Sequence, residues 1–162
     1  MKFTVYLSGE IHTDWRNQIK DGAQKYGLDI EFVSAVTDHD ASDSAGDVLG
    51  DEDSSFWRDH KSAKVNNIRT KTLIKKSDLA VIRFGEKYKQ WNAAFDAGYC
   101  AASGTPYITL HADDIVHPLK EVDGYAMAWT KTTEQVIELS LIHISEPTRR
   151  YAISYAVLWL KK

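Results

Sequence analysis

Short apolar runs separated by amphipathic stretches of helical length recur from one end of the chain to the other. Phe3-Thr4-Val5-Tyr6-Leu7 is rich in strand formers and closes on Ser8-Gly9. Thr13 is placed to cap a helix that begins at Asp14-Trp15, runs to about Tyr26 and stops at Gly27. Ile30-Glu31-Phe32-Val33 reads as a second strand. Residues 37–55 are polar and acidic among small residues and glycine, which predicts a long loop of the kind that is often functional. Ser54 or Ser55 then caps a crossover helix over residues 56–76, whose closing Lys75-Lys76 complements the helix dipole. A continuous apolar strand follows at 79–82, then a helix at 90–102 stopped by Gly104-Thr105-Pro106, and another buried strand at 107–110. Pro118 suits the first turn of a short helix to about Val122. A strand at 126–129 and a helix from Thr133, with Val136 and Ile137 facing inward, complete the pattern.

Strands that are apolar throughout, rather than alternating, and that take turns with helices indicate a parallel sheet covered on both sides. The expectation is therefore an α/β, flavodoxin-like three-layer fold with a five-stranded parallel sheet. Ligands of such sheets bind beyond the carboxyl ends of the strands, where the strand order reverses. That rule gathers Ser8, Gly9 and Glu10, the loop from Thr37, residues 84–90, and His111-Ala112-Asp113 at one edge. Within the helix at 90–102, helical spacing puts Trp91, Phe95, Gly98 and Ala102 on one stripe, expected to face the core. Asn92, Asp96 and Tyr99 share the neighbouring stripe, expected to face a site.

Composition narrows the function. The 162 residues fit one domain, and 20 basic against 23 acidic residues with six scattered histidines leave no basic footprint for polymeric nucleic acid or an anionic membrane. Cys100 is the single cysteine, which suits a reducing cytoplasm. After Met1-Lys2 there is no apolar core of a signal peptide, and no run is long enough to span a membrane. Leu139-Ser140-Leu141-Ile142-His143-Ile144-Ser145-Glu146-Pro147-Thr148-Arg149 resembles the translation of a transposase-type sequencing adapter, and residues 150–157 fit the index and primer that follow it. Residues 1–138 are therefore read as the domain and 139–162 as an artefactual tail in place of the genuine C-terminus. Without Arg149, Arg150, Lys161, Lys162 and Glu146 the basic and acidic totals become 16 and 22, a net charge of −6.

Several chemistries lack their motifs. Leu7-Ser8-Gly9-Glu10 has one glycine where phosphate loops and dinucleotide fingerprints need several. Counting from Asp38 or Asp47 puts no glutamate at the twelfth position of a calcium loop, and Asp38-His39-Asp40 does not make a zinc set. No metal and no cofactor are expected. Asp38, Asp40 and Asp43 suit either solvation and capping or hydrogen bonding to a substrate. Asp59, Ser62, Asn66 and Arg69 form a polar stripe on the long helix, either its solvent face or a hold on a planar or anionic ligand. His60, His111 and His117 have no Ser or Cys partner at a recognisable spacing, so a nucleophile triad is not indicated.

Val5-Tyr6-Leu7-Ser8-Gly9-Glu10-Ile11-His12-Thr13-Asp14-Trp15-Arg16, Asp38-His39-Asp40, Phe56-Trp57-Arg58-Asp59-His60-Lys61 and the run Arg83-Phe84-Gly85-Glu86 through Gln90-Trp91-Asn92-Ala93-Ala94-Phe95-Asp96-Ala97-Gly98-Tyr99 carry a close resemblance to the YtoQ family over residues 1–138. That family is grouped with the nucleoside 2-deoxyribosyltransferase-like proteins, which share a flavodoxin-like fold. In the transferases a first-strand tyrosine orients a catalytic glutamate on a helix, and the resemblance puts Tyr6 and Asp96 in those places. It implies that a carboxylate attacks the anomeric carbon of a deoxynucleoside and that a second base or water then takes the sugar. Asp96 is one methylene, about 1.5 Å, shorter than glutamate. Gln90 stands where the transferases have a base-binding acid, and Arg83 or Phe84 where they have an acid after the third strand. The resemblance thus implies an enzyme acting on an N-glycosidic bond of a nucleoside or nucleotide, with Asp96 and Tyr6 catalytic. Ser8, Gly9, Glu10, Asp38, Asp40, Gln90, Trp91, Asn92 and Arg69 are the expected substrate-binding residues. The transferases also borrow C-terminal residues from a neighbouring subunit, which implies a homo-oligomer. The alternative is a non-catalytic nucleoside or nucleotide-sugar binding module.

Overall fold

The computed structural model describes residues 2–87 and 90–145. The segment 146–162, most of the stretch read as an adapter, lies outside the described residues. In chain order the elements are β1 (Phe3–Gly9), α1 (Trp15–Lys25), β2 (Ile30–Ser34), α2 (His39–Asp43), α3 (Ser55–Lys76), β3 (Leu79–Arg83), α4 (Trp91–Ser103), β4 (Tyr107–Leu110), α5 (Lys120–Tyr125), β5 (Ala128–Thr130) and α6 (Thr133–Ser145). All five strands pair in parallel in the order β2-β1-β3-β4-β5, the three-layer α/β fold read from the apolar runs. The order reverses between β1 and β3, so a crevice opens beyond their carboxyl ends, where Gly9 pairs with Arg83.

Successive side chains of a strand point to opposite faces, and β1 shows the consequence. Val5 and Leu7 join Trp15, Ile19, Val81, Ile108, Leu110 and Val136 in the layer under α1 and α6. Tyr6 goes to the other layer with Ile74, Ile82, Ala93, Ala97, Cys100 and Tyr107, under α3, α4 and α5. Ser8, two residues beyond Tyr6, shares its face. Val136 and Ile137 of α6 are buried as expected. α6 runs unbroken across residue 139, with Leu139 packed against the core and Ser140 buried.

Four local expectations change. The acidic segment 37–55 holds α2 and a 3-10 turn (Asp47–Leu49) rather than an unbroken loop. α2 buries no residue, so it leaves no apolar periodicity to read; Asp38 starts it by accepting from the Ala41 amide at 2.7 Å. Thr13 does not cap α1, because its hydroxyl and amide are taken by Glu10, and Asp14 occupies the cap position with its carboxylate accepting from the Asn17 side chain at 2.6 Å rather than from a helix amide. The short helix near Pro118 forms two residues later, as α5.

The fourth change is the face of α4. Trp91 and Phe95 are 71% and 54% exposed, with Gly98 and Ala102 exposed beside them. The buried stripe is Ala93, Asp96, Ala97 and Cys100. Small side chains let this helix lie close to β1 and β3, and the carboxylate comes in with them.

Candidate active site

Three segments meet at the crevice, and each is held by its own side chains. β1 ends at Gly9, whose φ of +103° only glycine adopts readily and where a Cβ would stand 2.0 Å from the Arg83 carbonyl oxygen. The Glu10 amide then donates to that same oxygen at 3.1 Å. Glu10 is buried and its carboxylate accepts from the His12 amide, the Thr13 amide (3.0 Å) and the Thr13 hydroxyl (2.5 Å), with Arg83 Nε at 3.7 Å. Burial alone would raise this carboxyl's pKa; those bonds and the guanidinium outweigh it and hold it low. Trp15 Nε1 and Arg16 donate to the Glu10 carbonyl, and Arg16 Nη2 also to that of Gly9.

The segment after β3 is closed by Gln90. Its Oε1 accepts from the Gly85 amide at 2.7 Å and its Nε2 donates to the Lys87 carbonyl at 2.9 Å. The side-chain amide expected to face a base therefore latches its own loop.

Asp96 is 7% exposed in the middle of α4. Ser8 Oγ donates to its Oδ2 at 2.6 Å, and the Tyr6 hydroxyl stands 3.5 Å from the same oxygen. Burial pushes the Asp96 pKa above the ordinary carboxylate value, because it outweighs what Ser8 and Tyr6 give back. Burial and the adjacent carboxylate likewise raise the Tyr6 phenol, so it stays protonated. Behind Asp96, burial takes the Cys100 thiol up to about 12, which leaves it unreactive at neutral pH.

Two cavities meet at this carboxylate. One, of about 300 Å³, is lined by Asp43, Asp59, Asn66, Arg69, Thr70 and Phe95; the other, of about 490 Å³, by Ser8, Gly9, Glu10, Arg16, Asp38 and Trp91 among others. Ala35, Val36, Ser42, Asn92 and Asp96 line both. Of the expected substrate-binding residues, Ser8, Gly9, Glu10, Asp38, Gln90, Trp91 and Asn92 thus gather on the larger cavity, and Arg69 on the smaller. Asp40 lines neither of them: it sits within α2, and its carbonyl accepts from Ser44. Tyr6 is fully buried and reaches Asp96 from behind.

The polar stripe of α3 has a role that spacing did not reveal. Ser62 Oγ donates to the Asp43 carbonyl at 2.6 Å and accepts from the Gly46 amide, and Asn66 Nδ2 donates to the Ser42 carbonyl and hydroxyl at 3.0 and 3.1 Å. These bonds seat α2 against α3 and make Ser42 a wall of both cavities. His12 and His39, with ring centroids 5.7 Å apart, add imidazoles to the larger one. Neither Ser42 nor this histidine pair carries a sequence signal, since both depend on where α2 docks.

His111, at the end of β4, lies apart from both cavities. Its Nδ1 faces the Ala112 carbonyl at 2.8 Å, its Nε2 lies 3.1 Å from Asp123, and its ring stacks on Trp129. Burial would lower its pKa, but the bonds to Asp123 and Ala112 outweigh that and raise it. Among the described residues, no group of three or more His, Cys, Asp or Glu side chains is arranged to hold a metal ion, and no helix is long and apolar enough to cross a membrane.

The fold has counterparts among solved structures. A 2-deoxyribosyltransferase from the psychrotolerant bacterium Bacillus psychrosaccharolyticus superposes with a TM-score of 0.50 at 13% identity, covering 83% of this chain and 90% of that one. A conserved protein from Enterococcus faecalis V583 gives 0.55 at 13% identity, covering 85% and 96%. At these identities the likeness is one of fold. The protein YtoQ of Bacillus subtilis (strain 168), itself uncharacterized, is 42% identical over 139 residues, 85% of this chain and 94% of that protein. The family described as nucleoside 2-deoxyribosyltransferase YtoQ matches residues 6–144, running past residue 138 into the start of the stretch read as an adapter. On that match and that identity, the chain belongs to the YtoQ family.

Proposed function

We propose that the protein acts on the N-glycosidic bond of a nucleoside or nucleotide, by carboxylate-mediated transfer or hydrolysis. One observation carries this reading: the buried Asp96 carboxylate, braced by β1, stands where two cavities meet at the switch point of the sheet. One cavity has room for the sugar and the other for the base, with the reacting carbon over Asp96. Ionised Asp96 attacks the anomeric carbon, and the C–N bond breaks with its electron pair leaving on the base, which takes a proton from solvent. A nitrogen of a second base, or water, then cleaves the glycosyl ester, loses its proton to solvent and returns the carboxylate. No cofactor enters this sequence. The same reading takes a small nucleoside or nucleotide as the partner and places a homo-oligomer in the cytoplasm. Exposed Val48, Leu49, Phe56 and Trp57 near the start of α3 support an interface between copies.

The test is incubation with 2′-deoxynucleosides and their 5′-monophosphates, each with a free acceptor base, followed by chromatography. Exchange of base indicates transfer, and release of base with free sugar indicates hydrolysis. A second reading, binding without catalysis, has its own support in Gln90, whose amide is tied to Gly85 and Lys87 and offers no proton to a leaving base. Calorimetric binding with neither exchange nor release would favour it.

A further inference from the structure

Tyr6 and Ser8 reach Asp96 from the same face of β1, but they do not hold it equally. The Ser8 contact of 2.6 Å is the length of a strong bond between a hydroxyl and a carboxylate. The Tyr6 contact of 3.5 Å lies outside the usual range of about 2.5–3.0 Å for such bonds, and the Tyr6 hydroxyl also has the Thr70 side chain as a neighbour. Ser8 is 2% exposed, and a single side-chain torsion fixes its oxygen once the backbone is set. That backbone is set twice over: Ser8 pairs in register with Ile82, and Gly9 after it admits no side chain. Both contacts end on Oδ2, whereas Oδ1 accepts no hydrogen bond from the described residues, although Asp96 lines both cavities.

We propose that Ser8, rather than Tyr6, is the positioning residue of the Asp96 carboxylate, anchoring Oδ2 so that Oδ1 is the oxygen presented to substrate. Its hydroxyl is therefore not a substrate-binding group, although it borders the larger cavity. The anchor stands on geometry alone; the role of Oδ1 rests on the glycosyl-transfer reading.

The test is a carboxyl ¹³C NMR titration of the full chain, with Asp96→Asn identifying the Asp96 resonance by its loss. Removing a hydroxyl that stabilises the ionised form more than the neutral one, as in Ser8→Ala, is expected to raise the Asp96 midpoint by about one pH unit, a tenfold change in ionisation. Tyr6→Phe is expected to move it by less than half as much. Ser8→Cys keeps the shape with a weaker donor and is expected to shift it upward too, which decides the matter if Ser8→Ala does not fold. An unmoved midpoint in the Ser8 variants, or a larger shift in Tyr6→Phe, overturns the anchor. Where turnover is measurable, the acid limb of kcat/KM should move with the midpoint. A moved midpoint with no turnover by the unmodified protein on any nucleoside keeps the anchor and overturns the assignment of Oδ1.

Discussion

Asp96→Asn exchanges a buried charge for a neutral group of the same shape, and the structure sets the sign of the effect on stability. The ionised carboxylate gains from the Ser8 hydroxyl, since a charge-assisted bond contributes about 1 kcal/mol more than a neutral one. Desolvation at 7% exposure works the other way and dominates, because the Asp96 pKa is raised. A carboxyl whose folded pKa lies above its unfolded one stabilises fully below the unfolded pKa, and that contribution is lost as pH rises through the folded pKa. The substituted asparagine does not titrate, and its amide oxygen can still accept from Ser8. The variant should therefore gain on the wild type as pH rises from acid to neutral, each kcal/mol of that gain showing as roughly 3 °C in Tm for a domain of this size. Urea unfolding of both proteins at pH 7 and near pH 3 measures this directly. A stability difference that is flat with pH, or that favours the wild type more at pH 7 than in acid, would refute the reasoning.

Other substitutions probe the walls of the site and the His111–Asp123 pair. Gly9→Ala places a Cβ 2.0 Å from the Arg83 oxygen at a positive φ and should cost about 3 kcal/mol in urea unfolding; a cost under about 1 kcal/mol would mean β1 ends differently. Gln90→Ala leaves the Gly85 amide without its acceptor and should cost about 1–2 kcal/mol, whereas a neutral result would deny the latch. The His111 ring should titrate above the usual value of about 6.5, its stabilising contribution complete below that pH and lost as pH rises through the raised pKa. Asp123→Asn should bring that titration down, and ring-proton NMR that found it unmoved would remove Asp123 as the cause.

Much of the sheet was legible because strands buried on both faces have to be largely apolar: 79–82 is apolar throughout, and 107–110 is broken only by Thr109, whose hydroxyl donates to Asp123. The switch point followed from topology, and with it the neighbourhood of Ser8, Gln90 and Asp96. The face of α4 was not legible, because large apolar side chains suggest burial while close approach to the sheet demands small ones. Trp91 and Phe95 yielded the inner stripe to Ala93, Ala97 and Cys100, and Asp96 went inward with those small residues. Nor could sequence say which polar groups were already satisfied. Glu10, Gln90, Ser62 and Asn66 all read as free to meet a ligand, and each is tied to backbone groups of a nearby loop or helix. α2 was invisible because a short helix with no buried side chain has no hydrophobic period.

The most direct test of Asp96 as the group that takes the sugar is peptide mass spectrometry of protein quenched in acid during incubation with a deoxynucleoside. The expected result is one deoxyribosyl group on the peptide that carries Asp96, absent from Asp96→Asn, together with a loss of base release of about a thousandfold or more in that variant. Undiminished base release by Asp96→Asn, or the sugar found on another residue, would contradict it.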